Sequence, residues 1–291
     1  MGKILIVADK DKTCVATSRG LELAAKLGYD VEVVAFTYAP LNRIEGGRAA
    51  QVALKQQLLE KRREQILKRI DTFSTDSQKV ALKVVWMKTV HPWIVKRAAT
   101  GKFAAVVKTS HSTGNLGYTS TDWYLLRECP VPVLMVAEKK WSRTRPVMAA
   151  LDLGTRKRSK QQLNSQVLGA AKALADALGV ELKLMSAIEV PSVLVDLDLV
   201  DPISYSKKHR EEMLPHLKAL AKEHDIPEKA FITKRGPVAK VITSQAAKAR
   251  AQIVVMGTVA RKGISAKLIG NTAESVLSDL HTDVLAIKPD S

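Results

Sequence analysis

Two glycine-bearing stretches hold the residues best suited to chemistry. Met256-Gly-Thr-Val-Ala-Arg-Lys-Gly263 continues a β-branched run, and Leu268-Ile-Gly-Asn-Thr-Ala-Glu274 opens a helical one. Gly257 lets backbone approach a ligand closely, and a turn at Gly270 presents free N–H groups at the start of a helix. Phosphate is attracted to such groups and to the helix dipole. Arg261, Lys262 and Lys267 add positive charge to the same loop. Leu151-Asp152 ends an earlier β-like run, which places a carboxylate at the corresponding strand end. In an open parallel sheet, ligands bind beyond the carboxyl ends of the strands, near the point where strand order reverses. Ordinary turn glycines also meet this spacing.

Other constellations are weaker. The chain has no Walker loop, no HExxH and no nucleophile elbow. It also lacks the Ser-Gly-Gly loop of ATP pyrophosphatases and the His-x-Gly-His of nucleotidyltransferases. No catalytic residue is therefore assigned. His209, His216 and His224 fall on one predicted helix at spacings of seven and eight, without a partner at i+3 or i+4. That pattern reads as an exposed helix face, and no metal is assigned. Cys14 and Cys129 lack metal-type spacing and read as buried small residues.

These residues need a frame, and short β-branched runs alternating with amphipathic stretches supply one. In the first half the strands are expected at Lys3–Asp9, Val31–Ala39, Ala81–Met87, Ala104–Ser110 and Val131–Ala137. Helices are expected at Thr13–Leu27, Gly47–Phe73, Pro92–Thr100 and Ser120–Cys129. The second half repeats the order, with strands at Val147–Leu153, Glu181–Glu189, Lys229–Arg235, Gln252–Val259 and Thr282–Lys288. Its helical stretches are Ser159–Leu178, Tyr205–His224, Pro237–Ala251 and Asn271–Leu280. The economical reading is an internal duplication of about 140 residues. It implies two α/β domains, 1–140 and 146–291, each an open parallel five-stranded sheet with helices on both faces. Glu138-Lys-Lys-Trp-Ser-Arg-Thr-Arg-Pro146 has the composition of a linker.

The loop from Gly257 to Asn271 resembles the nucleotide loop of ATP-binding universal stress proteins. That family reads Gly, two residues, Gly, nine residues, then Gly-Ser; here Gly257, Thr258-Val259, Ala260, nine residues and Gly270-Asn271 stand in order. Gly263-Ile-Ser-Ala266, Ile287-Lys-Pro-Asp290, Thr121-Asp-Trp123 and Val84-Val-Trp86 are similar to the family's tandem E-type subgroup. The resemblance implies a Rossmann-like fold and adenine nucleotide, ATP first, as ligand. It places Asp152 near ribose and adenine, Ala187 against adenine, and Met256 and Gly257 on the nucleoside. Gly270, Asn271 and Thr272 would bind phosphate. Ala260 replaces the second glycine, where a positive φ would cost roughly 1 kcal/mol or more, and Asn271 replaces the serine. The first copy departs further: Thr109-Ser-His-Ser112 has no glycine, and Asp122 would repel phosphate near the helix start. Its site reads as lost. Single-domain relatives dimerise through their last strands, so a pseudo-two-fold pair within the chain is expected. Apolar Val131–Val136 and Val284–Ile287 suit that role.

The totals bound the rest. An apolar fraction of 46% supports real cores, and 4% aromatic content suits aliphatic packing. The longest apolar runs are too short to span a membrane. No secretory signal is read at the N-terminus, and two cysteines suit a reducing cytoplasm. The net charge is +17, of which residues 1–150 supply +12 from 25 basic and 13 acidic side chains. Such an excess attracts polyanions. The leading expectation is a stress-response binding module without turnover, holding adenine nucleotide in its second domain. The alternative is a basic scaffold that binds nucleic acid or an anionic amphiphile and has no nucleotide site; a weak ATPase ranks below both.

Overall fold

A computed structural model describes residues 2–10, 15–42, 45–75, 78–110, 120–138, 142–258 and 271–289. They form two compact units, one on each side of residues 139–141.

In the first unit, β1 (Lys3–Ala8), α1 (Val15–Leu27), β2 (Asp30–Thr37), α2 (Gly47–Phe73) and β3 (Val80–Trp86) are followed by α3 (His91–Thr100), β4 (Ala105–Thr109), α4 (Ser120–Glu128) and β5 (Val133–Val136). The strands are parallel in the order β3-β2-β1-β4-β5. β1 is almost wholly buried, as a central parallel strand covered on both faces must be. Leu5, Ile6, Leu21, Leu23, Ile66 and Ile94 are fully buried around it. Each such side chain contributes roughly 1.5–3 kcal/mol through burial.

The second unit repeats the plan. It comprises β6 (Val147–Ala150), α5 (Arg158–Leu178), β7 (Leu182–Ile188), α6 (Ser192–Asp196), α7 (Pro202–Glu223), β8 (Phe231–Arg235), α8 (Val238–Ala249), β9 (Ile253–Gly257), α9 (Asn271–Asp279) and β10 (Asp283–Ile287). Its parallel strands run β8-β7-β6-β9-β10. The duplication extends to helix ends. Leu27 precedes Gly28 and Leu178 precedes Gly179, both glycines at φ +67° with nothing within 4 Å of an added Cβ. A left-handed residue closes the last turn, and glycine takes that conformation without strain.

Several strands are shorter than the sequence expectation, β6 ending at Ala150 rather than Leu153 and β8 starting at Phe231 rather than Lys229, and the region of α7 differs too. α7 begins at Pro202 rather than Tyr205, because the Asp201 carboxylate accepts the Ser204 N–H at 2.6 Å and Pro202 fits the first turn. Before it, α6 forms where the sequence pattern gave no element.

Candidate functional site

Strand order in the second unit reverses between β6 and β9, which pair with Ala150 opposite Met256. Ala150 also pairs with Met185 of β7, which runs on to Ile188 beside the exit of β6. Just beyond lie Asp152, Ala187 and Gly257. Asn164 of α5, itself buried, fixes the Asp152 backbone from both sides. Its Oδ1 accepts the Asp152 N–H at 3.0 Å, and its Nδ2 donates to the Asp152 carbonyl at 2.8 Å. The Asp152 carboxylate remains open to solvent, with Lys160 Nζ 3.1 Å from it. Ser186 accepts the Leu153 N–H at 3.4 Å, holding the β6 exit against β7. Met256 is buried, and Ala187 is half-buried.

Gly257 is tight on one side for a reason that spacing does not reveal. A Cβ there would lie 2.6 Å from Leu163 Cδ2, so the missing side chain admits a leucine of α5. Asn271 and Thr272 are the first two residues of α9, at the end where free N–H groups favour anions. Ala260 and Gly270 lie outside the described residues. Leu153, Gly154, Thr155 and Arg156 of the β6 exit, with His209 and Glu212, line a cavity of about 470 Å³.

The first unit fills the same level differently. Lys108 and Thr109 end β4 as Met256 and Gly257 end β9. Asp122 is third in α4 as Ala273 is third in α9. Lys108 Nζ lies 2.6 Å from the Asp122 carboxylate, the two side chains being 8% and 0% exposed. The same ammonium donates to the Thr109 carbonyl at 2.7 Å. The Thr109 hydroxyl donates to the Asp9 carboxylate at 2.5 Å and accepts the Ala16 N–H at 2.9 Å. Arg62 of α2 donates to the Asp9 carbonyl. Asp9, Arg62, Lys108, Thr109 and Asp122 are all buried, so a polar network occupies the strand ends. Arg62, expected from sequence to lie with Lys61 and Arg63 on a solvated helix face, is buried instead, and Lys108 was not singled out from sequence. Asp122 was, as an anion near a helix start; the structure pairs it with a buried cation.

The three α7-region histidines engage separate partners. His209 stacks on Tyr205 with centroids 4.0 Å apart, His216 Nδ1 lies 3.3 Å from the Leu153 carbonyl, and His224 Nε2 lies 3.0 Å from Ser165 Oγ. Among the described residues no group of three or more His, Cys, Asp or Glu side chains is placed to hold a metal. Cys129 is buried, and Cys14 lies outside the described residues. No described helix is long and apolar enough to cross a membrane.

The repeated α/β unit has its counterpart in known proteins. The sequence profile of the universal stress protein family matches residues 1–137 and, again, residues 144–288. The chain belongs to the universal stress protein family. It is 32% identical over 246 residues to universal stress protein E of Salmonella typhi, which covers 82% of this chain and 78% of that one. The same figures hold for universal stress protein E of Escherichia coli strain K12. Among solved structures, a candidate universal stress protein from Pseudomonas aeruginosa UCBPP-PA14 is similar at a TM-score of 0.72 and 26% identity. That match covers 99% of this chain and 93% of the other. A family member from Archaeoglobus fulgidus DSM 4304 shares the fold at a TM-score of 0.68 and 15% identity, over 98% of each chain. The tandem Rossmann-like reading of the sequence therefore holds.

Proposed function

We propose that this tandem universal stress protein is a regulatory binding module without turnover, whose second unit takes an adenine nucleotide and whose first takes none. The observation that carries this reading is the difference between the two switch points. Where the first unit packs Lys108, Thr109 and Asp122, the second has Met256, Gly257 and Ala273. A buried ammonium–carboxylate pair with its attendant hydrogen bonds leaves little to offer a ligand. Methionine, glycine and alanine leave the strand ends apolar and small, the surface a nucleoside needs.

The second unit's residues fit the group that the family resemblance implies. Asp152 presents a solvent-facing carboxylate on a backbone clamped by Asn164, suited to accept ribose hydroxyls. Ala187 is small enough to admit a flat base. The first turn of α9, which begins at Asn271 and which Gly270 precedes in the sequence, offers N–H donors to phosphate. Arg261, Lys262 and Lys267, in the sequence between β9 and α9, would add the positive charge that the family resemblance calls for.

Titration calorimetry of the full chain with ATP tests the reading, paired with Gly270→Val. Binding by the wild type and its loss in a variant of unchanged melting temperature is the expected result. No binding to the wild type, freed of any co-purified nucleotide, would overturn it. Phosphate release from ATP should stay at background; sustained release would favour an enzyme.

A further inference from the structure

Residues 189–204 read Glu-Val-Pro-Ser-Val-Leu-Val-Asp-Leu-Asp-Leu-Val-Asp-Pro-Ile-Ser. Eight of the sixteen are Val, Leu or Ile, and none of the eight is buried. Leu197, Leu199 and Ile203 are 63%, 64% and 71% exposed. The stretch is nevertheless folded. Leu197 N–H donates to the Val193 carbonyl at 3.2 Å, and Leu199 N–H to the Leu194 carbonyl at 2.9 Å. Near its end the Asp201 carboxylate caps α7. Single apolar residues on a surface need no explanation, but a run of this density marks a contact surface.

Charge narrows what could cover it. The stretch carries Glu189, Asp196, Asp198 and Asp201 and no lysine or arginine. Removing its −4 from the chain's +17 leaves +21 on the remainder. Four carboxylates are repelled by an anionic lipid surface. A basic protein surface with apolar points is the complement, and this chain carries one. α2 exposes Val52 and Phe73 along a helix whose exposed charges are basic in excess, Arg48, Lys55, Lys61, Arg63 and Lys68 against Glu60, Glu64 and Asp71. It buries only Arg62, Ile66 and Ile70 along 27 residues.

We propose that residues 189–204 of one copy dock on the exposed side of α2 of a second copy. The aliphatic side chains supply the burial, and Asp196 and Asp198 set partner choice and register against the α2 lysines. Made reciprocally, the contact closes a dimer. It is independent of the nucleotide reading.

Sedimentation of the full chain across the micromolar range tests this. The wild type should dimerise, and Leu197→Asp/Leu199→Asp should be monomeric at the same concentrations. Lys61→Glu/Lys68→Glu should also be monomeric. The substituted side chains are exposed, so each variant should keep the wild-type melting temperature. Carbodiimide coupling in a mixture of ¹⁴N- and ¹⁵N-labelled chains should give hybrid-mass links between Asp196 or Asp198 and α2 lysines. A wild type that stays monomeric overturns the proposal, even if the stretch captures another basic protein. A dimer indifferent to both variants, or linked only elsewhere, also overturns it.

Discussion

At the end of β4 a lysine and a threonine stand where β9 ends in methionine and glycine, the exchange on which the proposed difference between the units rests. Lys108 and Asp122 form a buried pair, so removing one partner strands the other's charge. Lys108→Met or Asp122→Ala alone should cost about 3–5 kcal/mol. The double variant, which copies Met256 and Ala273, should lie within about 1–2 kcal/mol of the wild type, because an apolar replacement removes the desolvation cost along with the attraction. Urea unfolding of the four proteins measures this coupling; additive losses would contradict it. The strand-end residues Asp152, Met256 and Gly257 were legible because strand ends can be read from β-branched runs. Asn164, Arg62 and the role of Lys108 were not. Arg62 meets Asp9 across 53 residues and Asn164 meets Asp152 across 12, contacts set by packing rather than spacing. Leu163 likewise gives Gly257 a packing role that no motif announces.

At the scale of elements, β1, β2 and α3 of the first unit are tied by one carboxylate. Glu32 accepts from Arg97 Nε at 2.7 Å and Nη2 at 2.5 Å, and from Lys3 Nζ at 3.1 Å. The Arg97 hydrogen bonds hold its carboxyl below the usual 4.5, against the opposing effect of burial and with further help from Lys3. The stabilisation is therefore fully present above about 4.5, the unfolded value, and is lost as pH falls through the lower folded value. Glu32→Gln should cost about 1–2 kcal/mol at neutral pH and flatten the decline in stability on acidification. Denaturant midpoints measured from neutral to acid pH check this, and an unchanged slope would contradict it. Most elements were legible, since Gly28 and Gly179 mark helix ends and the parallel strands are continuous apolar runs. α6 was not, because its aliphatic residues do not face a core and so carry no helical period.

For the whole molecule, a net charge of +17 predicts binding to DNA or RNA that is indifferent to sequence and falls steeply with added salt. Filter binding at rising ionic strength tests it, and tight binding at high salt would point to a dedicated site. β5 and β10 are the last strands of their own units' sheets and are largely aliphatic, a pairing hazard. The halves expressed separately are predicted to self-associate or aggregate; stable, monomeric halves would contradict this. The duplicated fold was legible from the sequence because each copy repeats its strands, helices and caps in order. The inequality of the two copies was legible only as missing glycines, since the buried ion pair of the first unit forms between β4 and α4. That inequality is the central claim, and the stoichiometry of adenine nucleotide on the full chain tests it most directly. Calorimetry with nucleotide-free protein should give about one site per chain, abolished by Gly270→Val and untouched by Lys108→Met/Asp122→Ala. Two equivalent sites, or none, would contradict the account.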